Sequence, residues 1–233
     1  MNSGNLSFIT VIICAAGHSF RMGGIKKEYQ MIDESQQLTV LGSVVRTFAA
    51  VSSIKEIIIA IPENDKEKAH RAVPQVYLDS TEPKLHFING GQTRQASVFN
   101  ALSYIQNNPH YVLIHDGARP WISTGLTEQI ISAVKSHNAA IPLLPLTDTP
   151  KECDAPLDNS TAFIKRHLKR ANTGIAQTPQ GFKFPEILFA HKKAALENEE
   201  FTDDAEIWGR FCGQVAVIPG DPANRKITFR EDL

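Results

Sequence analysis

The chain has 233 residues, 42% hydrophobic and 21% charged, the length and composition of one α/β domain, alone or with an appendage. A formal net charge of -1 argues against the broad basic footprint of a nucleic-acid binder and leaves a small anion as the expected partner. No apolar run approaches the roughly 18 residues of a membrane span, and the N-terminus lacks a secretion signal, so a cytoplasmic protein with no membrane partner is expected.

Residues 9–22 read Ile-Thr-Val-Ile-Ile-Cys-Ala-Ala-Gly-His-Ser-Phe-Arg-Met. The β-branched run Val11-Ile12-Ile13 fits a strand buried on both faces, as in a parallel sheet. It ends abruptly in Ala15, Ala16 and Gly17, small residues that let a ligand approach the main chain, and Arg21, Lys26 and Lys27 follow. A phosphate-binding loop and a plain tight turn with solvated cations both fit this stretch. Cys14, Cys153 and Cys212 form no C-x-x-C pair, so neither a disulfide framework nor a zinc site is expected. Cys14 reads as a small buried hydrophobe.

Farther on, Leu38, Leu41, Val44, Val45 and Phe48 recur at helical spacing, with Thr39 near the start. Ile54 to Ile61 is a second strand stopped by Pro62, and the charged stretch from Glu63 to about Ala72 is expected to be helical. Leu85 to Ile88 forms a third strand ending at Asn89-Gly90-Gly91. A helix from Thr93 to about Ile105 comes next, then a strand at Tyr111 to Ile114 ending in His115-Asp116-Gly117-Ala118-Arg119-Pro120. Ser123 or Thr124 caps a further helix, and Ala139 to Leu144 is a fifth strand. This alternation predicts βαβ units and a mostly parallel, doubly wound sheet.

The chain then changes character. Between Pro145 and Gly181 it carries Pro145, Pro150, Pro156 and Pro179 with short polar pieces such as Ala162 to Leu168, an excursion from the sheet with the look of a hairpin arm. Helices resume from Pro185 to about Glu197 and from Thr202 or Asp203 to Phe211, and Val215 to Ile218 completes the sheet. No repeat or linker interrupts the 233 residues, so a single domain is expected.

In open α/β sheets ligands bind at the carboxyl ends of the strands. Three such ends here are unusual: Ala15-Ala16-Gly17, Gly90-Gly91 and Asp116-Gly117-Ala118-Arg119. Glycines permit close approach of a base or ribose, and the carboxylate can hold a hydroxyl or a metal ion. The first loop is not G-x-x-x-x-G-K-[ST]. It also fails G-x-G-x-x-G, because Ser19 stands where a second glycine would fall, which disfavours a nicotinamide dehydrogenase.

Seven blocks in order now resemble a known family: Ala15-Ala16-Gly17 with Arg21-Met22 and Lys27; Gly90-Gly91…Arg94…Ser97-Val98; His115-Asp116-Gly117-Ala118-Arg119-Pro120; Asp148-Thr149…Lys151; Gln177-Thr178-Pro179-Gln180; Thr202-Asp203-Asp204-Ala205; and Lys226-Ile227-Thr228. They are similar to the 2-C-methyl-D-erythritol 4-phosphate cytidylyltransferases, over essentially the whole chain. The resemblance implies a Rossmann-like nucleotidyltransferase, of the nucleotide-diphospho-sugar transferase type, with a protruding β-arm at about 145–181. Such enzymes join CMP from CTP to methylerythritol phosphate and release pyrophosphate, with Mg2+ or another divalent cation as cofactor. The nucleophile would be a phosphate monoester, largely dianionic near neutral pH because its second pKa is about 6, so the reaction needs charge neutralisation rather than a general base.

By the same resemblance, Arg21 and Lys27 stabilise the triphosphate transition state, while Lys226 and Arg170 orient the methylerythritol phosphate. Ala15, Ala16, Gly17, Gly90, Gly91 and Ser97 receive the cytidine. Asp116, Gly117 and Arg119 meet ribose, metal-bound phosphate or substrate hydroxyls, and Asp116 is the one protein group implied for the metal. Thr149 and Thr178 complete the substrate pocket. The arm implies a homodimer in which Arg170 reaches the neighbour's site. On residue pattern alone, Lys165 to Arg170 reads equally as a solvated basic face, and Thr202-Asp203-Asp204 mainly as a helix N-cap.

The chain departs from the family pattern at Ser19 (usually Gly), Lys26 (usually Pro), Glu28 (usually Gln) and Gln92, and it ends at Leu233 where relatives usually continue into a helix. Lys26 leaves open which lysine reaches the phosphates. Two alternatives remain: a ribitol-5-phosphate cytidylyltransferase, which tends to read Leu-Ala-Gly-Gly and His-Asp-Ser-Val-Arg-Pro at these loops, and a non-catalytic nucleotide-binding protein.

Overall fold

The computed structural model describes residues 8–17, 23–157, 161–197, 199 and 201–233. The first β-branched run forms β1 (Ile9–Cys14). After it comes a small antiparallel pair, β2 (Met31–Asp33) and β3 (Leu38–Thr39), too short and too mixed in polarity to show in the apolar pattern. Helix α1 (Val40–Ala49) starts after Thr39, whose Oγ1 accepts from the Gly42 N–H at 2.9 Å, so Leu38, which the helical spacing included, belongs to β3 instead. The alternation continues with β4 (Ile54–Ile61), α2 (Lys66–Arg71), α3 (Gln75–Leu78), β5 (Lys84–Asn89), α4 (Arg94–Tyr104), β6 (Tyr111–Asp116), α5 (Thr124–His137) and β7 (Ala139–Pro145). Thr93 and Ser123 cap α4 and α5. The helix expected over 63–72 shrinks to six residues.

Beyond β7 the sequence expectation needs correcting. Strands β8 (Lys151–Cys153) and β9 (Ile164–His167) do form an antiparallel ribbon outside the main sheet. The excursion nevertheless ends earlier than residue 181. Strand β10 (Gly174–Ala176) already lies antiparallel to β7, and β11 (Gln180–Lys183) is wedged between β6 and β7, antiparallel to both. Four residues with one apolar side chain give no strand signal. What admits them is Gly181, where a Cβ would lie 2.9 Å from Ile130 Cγ2 and 3.1 Å from Leu113 Cδ2, so only a glycine lets α5 cover the strand this closely. Helices α6 (Glu186–Ala194) and α7 (Asp204–Phe211) and strand β12 (Ala216–Pro219), parallel to β7, complete the fold.

The core of the sheet, β5-β4-β1-β6, is parallel throughout. Alternate residues of β1 feed opposite layers, as a pleated strand requires. Ile9, Val11 and Ile13 pack with Val44 and Phe48 of α1 and Ile130 of α5, whereas Ile12 packs with Val98 and Leu102 of α4, Ile187 of α6 and Trp208 of α7. This is a doubly wound α/β sheet with both faces covered, as the alternation predicts, and it leaves the strand ends as the open edge.

Candidate active site

The ends of β1, β4, β5 and β6 are locked together by main-chain hydrogen bonds: Ala15 N–H to Ala60 O at 2.9 Å, Gly90 N–H to Ile61 O at 2.8 Å, and Gly117 N–H to Cys14 O at 2.9 Å. Gly90 must be small because a Cβ there would stand 2.3 Å from Ala16 Cβ, and at Gly91 it would meet Ala96 Cβ at 2.4 Å. Ser97 fastens this turn to α4, its Oγ accepting from the Gly91 N–H at 3.0 Å and donating to Thr93 O at 2.9 Å. The result is a cavity of about 300 Å³ walled by all three loops singled out in the sequence. Its lining includes Ala16, Gly17, Gly91, Ser97 and Asp116, and also Thr93 and Arg94, which bring the positive end of the α4 dipole to its edge.

Asp116, at the end of β6, is buried among cations. Its Oδ1 meets Arg94 Nε at 3.2 Å, and its Oδ2 meets Lys226 Nζ at 2.8 Å and Arg119 Nε at 3.6 Å. Burial alone would raise its pKa, but the charges of Arg94 and then Lys226 and Arg119 outweigh it and hold the carboxyl well below the usual carboxylate range. Arg94 reaches further, its Nη1 pairing with the buried Asp204 at 2.8 Å, and Asp204 in turn meets the buried His191 at 3.1 Å. Arg94 is the main site residue that residue-by-residue reading gave no role. An arginine opening a helix is an ordinary surface residue unless two acids from distant strands and helices are known to face it.

Behind Asp116 lies a neutral relay. The Asp116 N–H donates to Thr178 Oγ1 at 3.1 Å, Thr178 Oγ1 lies 3.0 Å from His115 Nδ1, and His115 Nε2 lies 3.2 Å from Arg119 O. One tautomer satisfies every contact: the Thr178 hydroxyl donates to Nδ1 and the Nε2–H donates to the Arg119 carbonyl. Burial pushes the His115 imidazole down to about 4, so it sits neutral at the cellular pH. Cys14, also in the cavity wall, has its thiol pushed up by burial to about 12, which removes it as a nucleophile.

The last wall is a strap of residues 220–228. Gln177 ties it down: its side-chain amide donates to Asp221 O at 2.9 Å and Asn224 O at 3.0 Å, and its carbonyl accepts from Asp221 N–H at 3.0 Å. Asn224 answers with a bond to Thr178 O at 2.7 Å, and Arg119 Nη1 donates to Asn224 O at 2.9 Å. Ile227 is fully buried beside Val40, its N–H bonded to Ala118 O at 2.8 Å and its carbonyl accepting from Lys27 Nζ at 2.8 Å. The strap thereby delivers Lys226 and Thr228 to the cavity and anchors Lys27 as well.

The structure brings together most of the sequence-predicted residues, with two kinds of placement. Lys27, Lys226, Ala16, Gly17, Gly91, Ser97 and Asp116 line the cavity, and Gly90 lines an adjoining cavity that shares Ala16 and Gly91 with it. Ala15, Gly117, Arg119 and Thr178, expected to touch ligand, are instead the scaffold beneath the lining: Ala15 is fully buried, and a Cβ on Gly117 would lie 3.0 Å from Cys14 O. Thr149 and Arg170 stand apart from this cavity. Both are exposed, and Arg170 Nη1 bonds Thr147 O at 2.7 Å. Arg21 and Ser19 lie outside the described residues. Of the paired lysines, Lys27 lines the cavity, whereas Lys26 folds onto the Gly17 carbonyl and Glu28. Asp203 is the N-cap of α7, as expected, accepting from Glu206 N–H.

Among the described residues no group of three or more His, Cys, Asp or Glu could form a protein-only metal site. The two carboxylates in the cavity wall, Asp116 and Glu28, are each paired with cations, an arrangement that suits instead a divalent ion brought in on phosphates, the usual habit of Mg2+.

A doubly wound sheet whose strand ends wall a cation-rimmed cavity, with no dinucleotide fingerprint, defines an α/β enzyme of the nucleotidyltransferase class. The family model for IspD, 2-C-methyl-D-erythritol 4-phosphate cytidylyltransferase, matches residues 9–233. The chain belongs to that family. The enzyme of that name from Bacillus cereus is 35% identical over 225 residues, covering 96% of this chain and 94% of that protein. The bifunctional enzyme IspD/IspF of Bartonella henselae is 36% identical over 227 residues, covering 97% of this chain, which spans only 55% of that longer relative. The crystal structure of 4-diphosphocytidyl-2C-methyl-D-erythritol synthase from Anaerococcus prevotii aligns with a TM-score of 0.81 at 28% identity, covering 98% of this chain and 93% of that one. The cytidylyltransferase from Thermus thermophilus aligns at 0.73 and 30%, covering 97% and 95%.

Proposed function

We propose that the protein transfers CMP from CTP to 2-C-methyl-D-erythritol 4-phosphate, releasing pyrophosphate and forming 4-diphosphocytidyl-2-C-methyl-D-erythritol. The observation that carries this reading is the balance of the cavity: Lys27, Arg94 and Lys226 converge on it, and among the described residues no activated nucleophile or base accompanies them. His115 is neutral and bonded at both nitrogens, and Cys14 is held as a thiol. A phosphate monoester that is already an anionic nucleophile needs neither. What it needs is in-line placement against the α-phosphate and cations on the charge that develops.

In this reading the cytidine enters against the glycine rim, where Gly17 has open space at its Cβ position and Gly90 and Gly91 let Ala16 and Ala96 pack closely enough to shape the wall. Lys27 meets the triphosphate from the basic loop, together with Arg21. Lys226 is shared between Asp116 and the acceptor phosphate, and Asp116 keeps its ammonium in place at 2.8 Å until the acceptor arrives. Mg2+ or another divalent ion, held mainly by the nucleotide's phosphates with Asp116 as the protein's contribution, supplies further charge neutralisation. Arg170 and Thr149 act in a partner's site within a homodimer joined by the ribbon, a reading supported by the exposed Leu157, Phe163 and Ile164 along it. The three cysteines are all free, in keeping with a cytoplasmic enzyme.

The acceptor assay is decisive. Incubated with CTP and Mg2+, the protein should release pyrophosphate with methylerythritol phosphate and far more slowly with ribitol 5-phosphate. Preference for ribitol 5-phosphate would replace the acceptor assignment, and CTP binding without turnover on any acceptor would make the protein a binder.

A further inference from the structure

Lys27 stands between two residues that oppose each other in charge. Glu28 forms part of the cavity wall, yet only 4% of its side chain is exposed. Its Oε2 makes no hydrogen bond, and the counter-charge it meets is the Lys26 ammonium at 3.1 Å. The same ammonium donates to the Gly17 carbonyl at 2.6 Å, and Lys26 itself stays out of the cavity lining. The single 3-10 turn at Lys27–Tyr29 holds this arrangement, with Tyr29 N–H bonded to Lys26 O at 3.2 Å and the Gln30 amide to the same oxygen at 3.1 Å.

A carboxylate and a carbonyl dipole at the mouth of a triphosphate pocket both repel the ligand unless something cancels them. We propose that Lys26 is a positioning residue for the triphosphate: it neutralises the Glu28 carboxylate in the cavity wall and draws back the Gly17 carbonyl. Lys27 and Arg94 then face the phosphates free of an uncompensated negative charge. This rests on the assignment of the cavity to CTP. It also explains why two basic residues adjoin each other here. One binds phosphate, and the other serves the glutamate.

The test is calorimetric titration of CTP, CMP and cytidine into wild type, Lys26→Met, Glu28→Gln and the double variant, each checked by thermal melting. Lys26→Met should weaken CTP binding roughly ten- to hundredfold, the cost of stranding a buried charge. The loss should shrink for CMP and vanish for cytidine. Adding Glu28→Gln should restore CTP affinity to within about threefold of the Glu28→Gln single variant. The proposal is overturned if Lys26→Met binds CTP normally, if the double variant stays as weak as Lys26→Met, or if all three ligands weaken alike, which marks a general loosening. Should Lys26→Met melt too early to titrate, the Glu28→Gln background carries the test, since Lys26→Met is expected to be nearly silent there and a large loss counts against the proposal. Wild type that binds none of the three ligands overturns the nucleotide assignment itself, an outcome distinct from wild-type binding with unresponsive variants.

Discussion

The rim at the ends of β1, β5 and β6 and the strap of residues 220–228 wall the same cavity, yet different forces hold them. The rim is carried by parallel strands, β1 and β6 buried almost throughout and β5 partly exposed at the sheet edge, and its turns are fixed by small residues packed against small residues. The strap has one fully buried apolar anchor, Ile227, and is otherwise held by hydrogen bonds from Gln177, Asn224 and Arg119. A packed rim tolerates little volume change and transmits little polar information. A hydrogen-bonded strap is cheaper to release, since each bond contributes only about 1 kcal/mol net. The binding wall is therefore rigid, and the wall that presents Lys226 is the one able to adjust when a phosphate arrives.

Three perturbations sharpen that contrast. The largest effect belongs to Lys27→Ala, which removes a cavity cation and its hydrogen bond to the Ile227 carbonyl. Its kcat should fall about 10²- to 10³-fold, the scale of losing one electrostatic stabiliser, while CTP binding stays measurable by calorimetry and the loss of the single hydrogen bond lowers stability by only about 1 kcal/mol. Turnover that survives Lys27→Ala would shift the phosphate role away from this lysine.

Gln177→Ala attacks the strap alone. It strands the Asp221 carbonyl and N–H and leaves the Asn224 carbonyl with Arg119 as its remaining donor, so a loss of about 2 kcal/mol in urea unfolding is expected. Because Lys226 rides on the strap, KM for the acceptor should rise more than KM for CTP. Equal effects on both substrates would mean that rim and strap are not separable.

The smallest effect is a pH slope at the seam where β6 meets Thr178. His115 is lowered to about 4 in the fold, against an ordinary value near 6.5. Between these values the unfolded chain binds the proton and the folded chain does not, so stability falls as pH drops from 6.5 towards 4 and the loss levels off below. The full window amounts to about 3 kcal/mol, of which less than about 2 kcal/mol falls between pH 7 and 5. Asp116 and Asp204, held below the usual carboxylate range against the opposing effect of burial, act in another window: their stabilisation is present above about pH 4 and is lost below it. Unfolding of wild type and His115→Gln at pH 7 and 5 separates the two, since the variant should show a shallower slope over this interval. Identical slopes would place the proton uptake elsewhere.

Period and punctuation in the sequence determined the parallel half of this protein. Runs such as Ile54–Ile61 are long, β-branched and bounded by Pro62, and the caps Thr39, Thr93 and Ser123 sit where the helices begin, because these signals are local and each is read within a few residues. The small residues ending β1 and β5 and the acid ending β6 were legible as a site for the same reason. Tertiary structure alone decided the rest. Strand β11 exists because Gly181 fits beneath α5, not because its four residues favour extension. Arg94 became a site residue once Asp116 and Asp204 were brought to its two ends, 22 and 110 residues away in sequence. Lys26 and Lys27 look alike in the chain, and only their partners, Glu28 and Gly17 for one and the Ile227 carbonyl for the other, separate their places at the cavity. Local propensity travels with the residue, whereas the meaning of a charge depends on what the fold places opposite it.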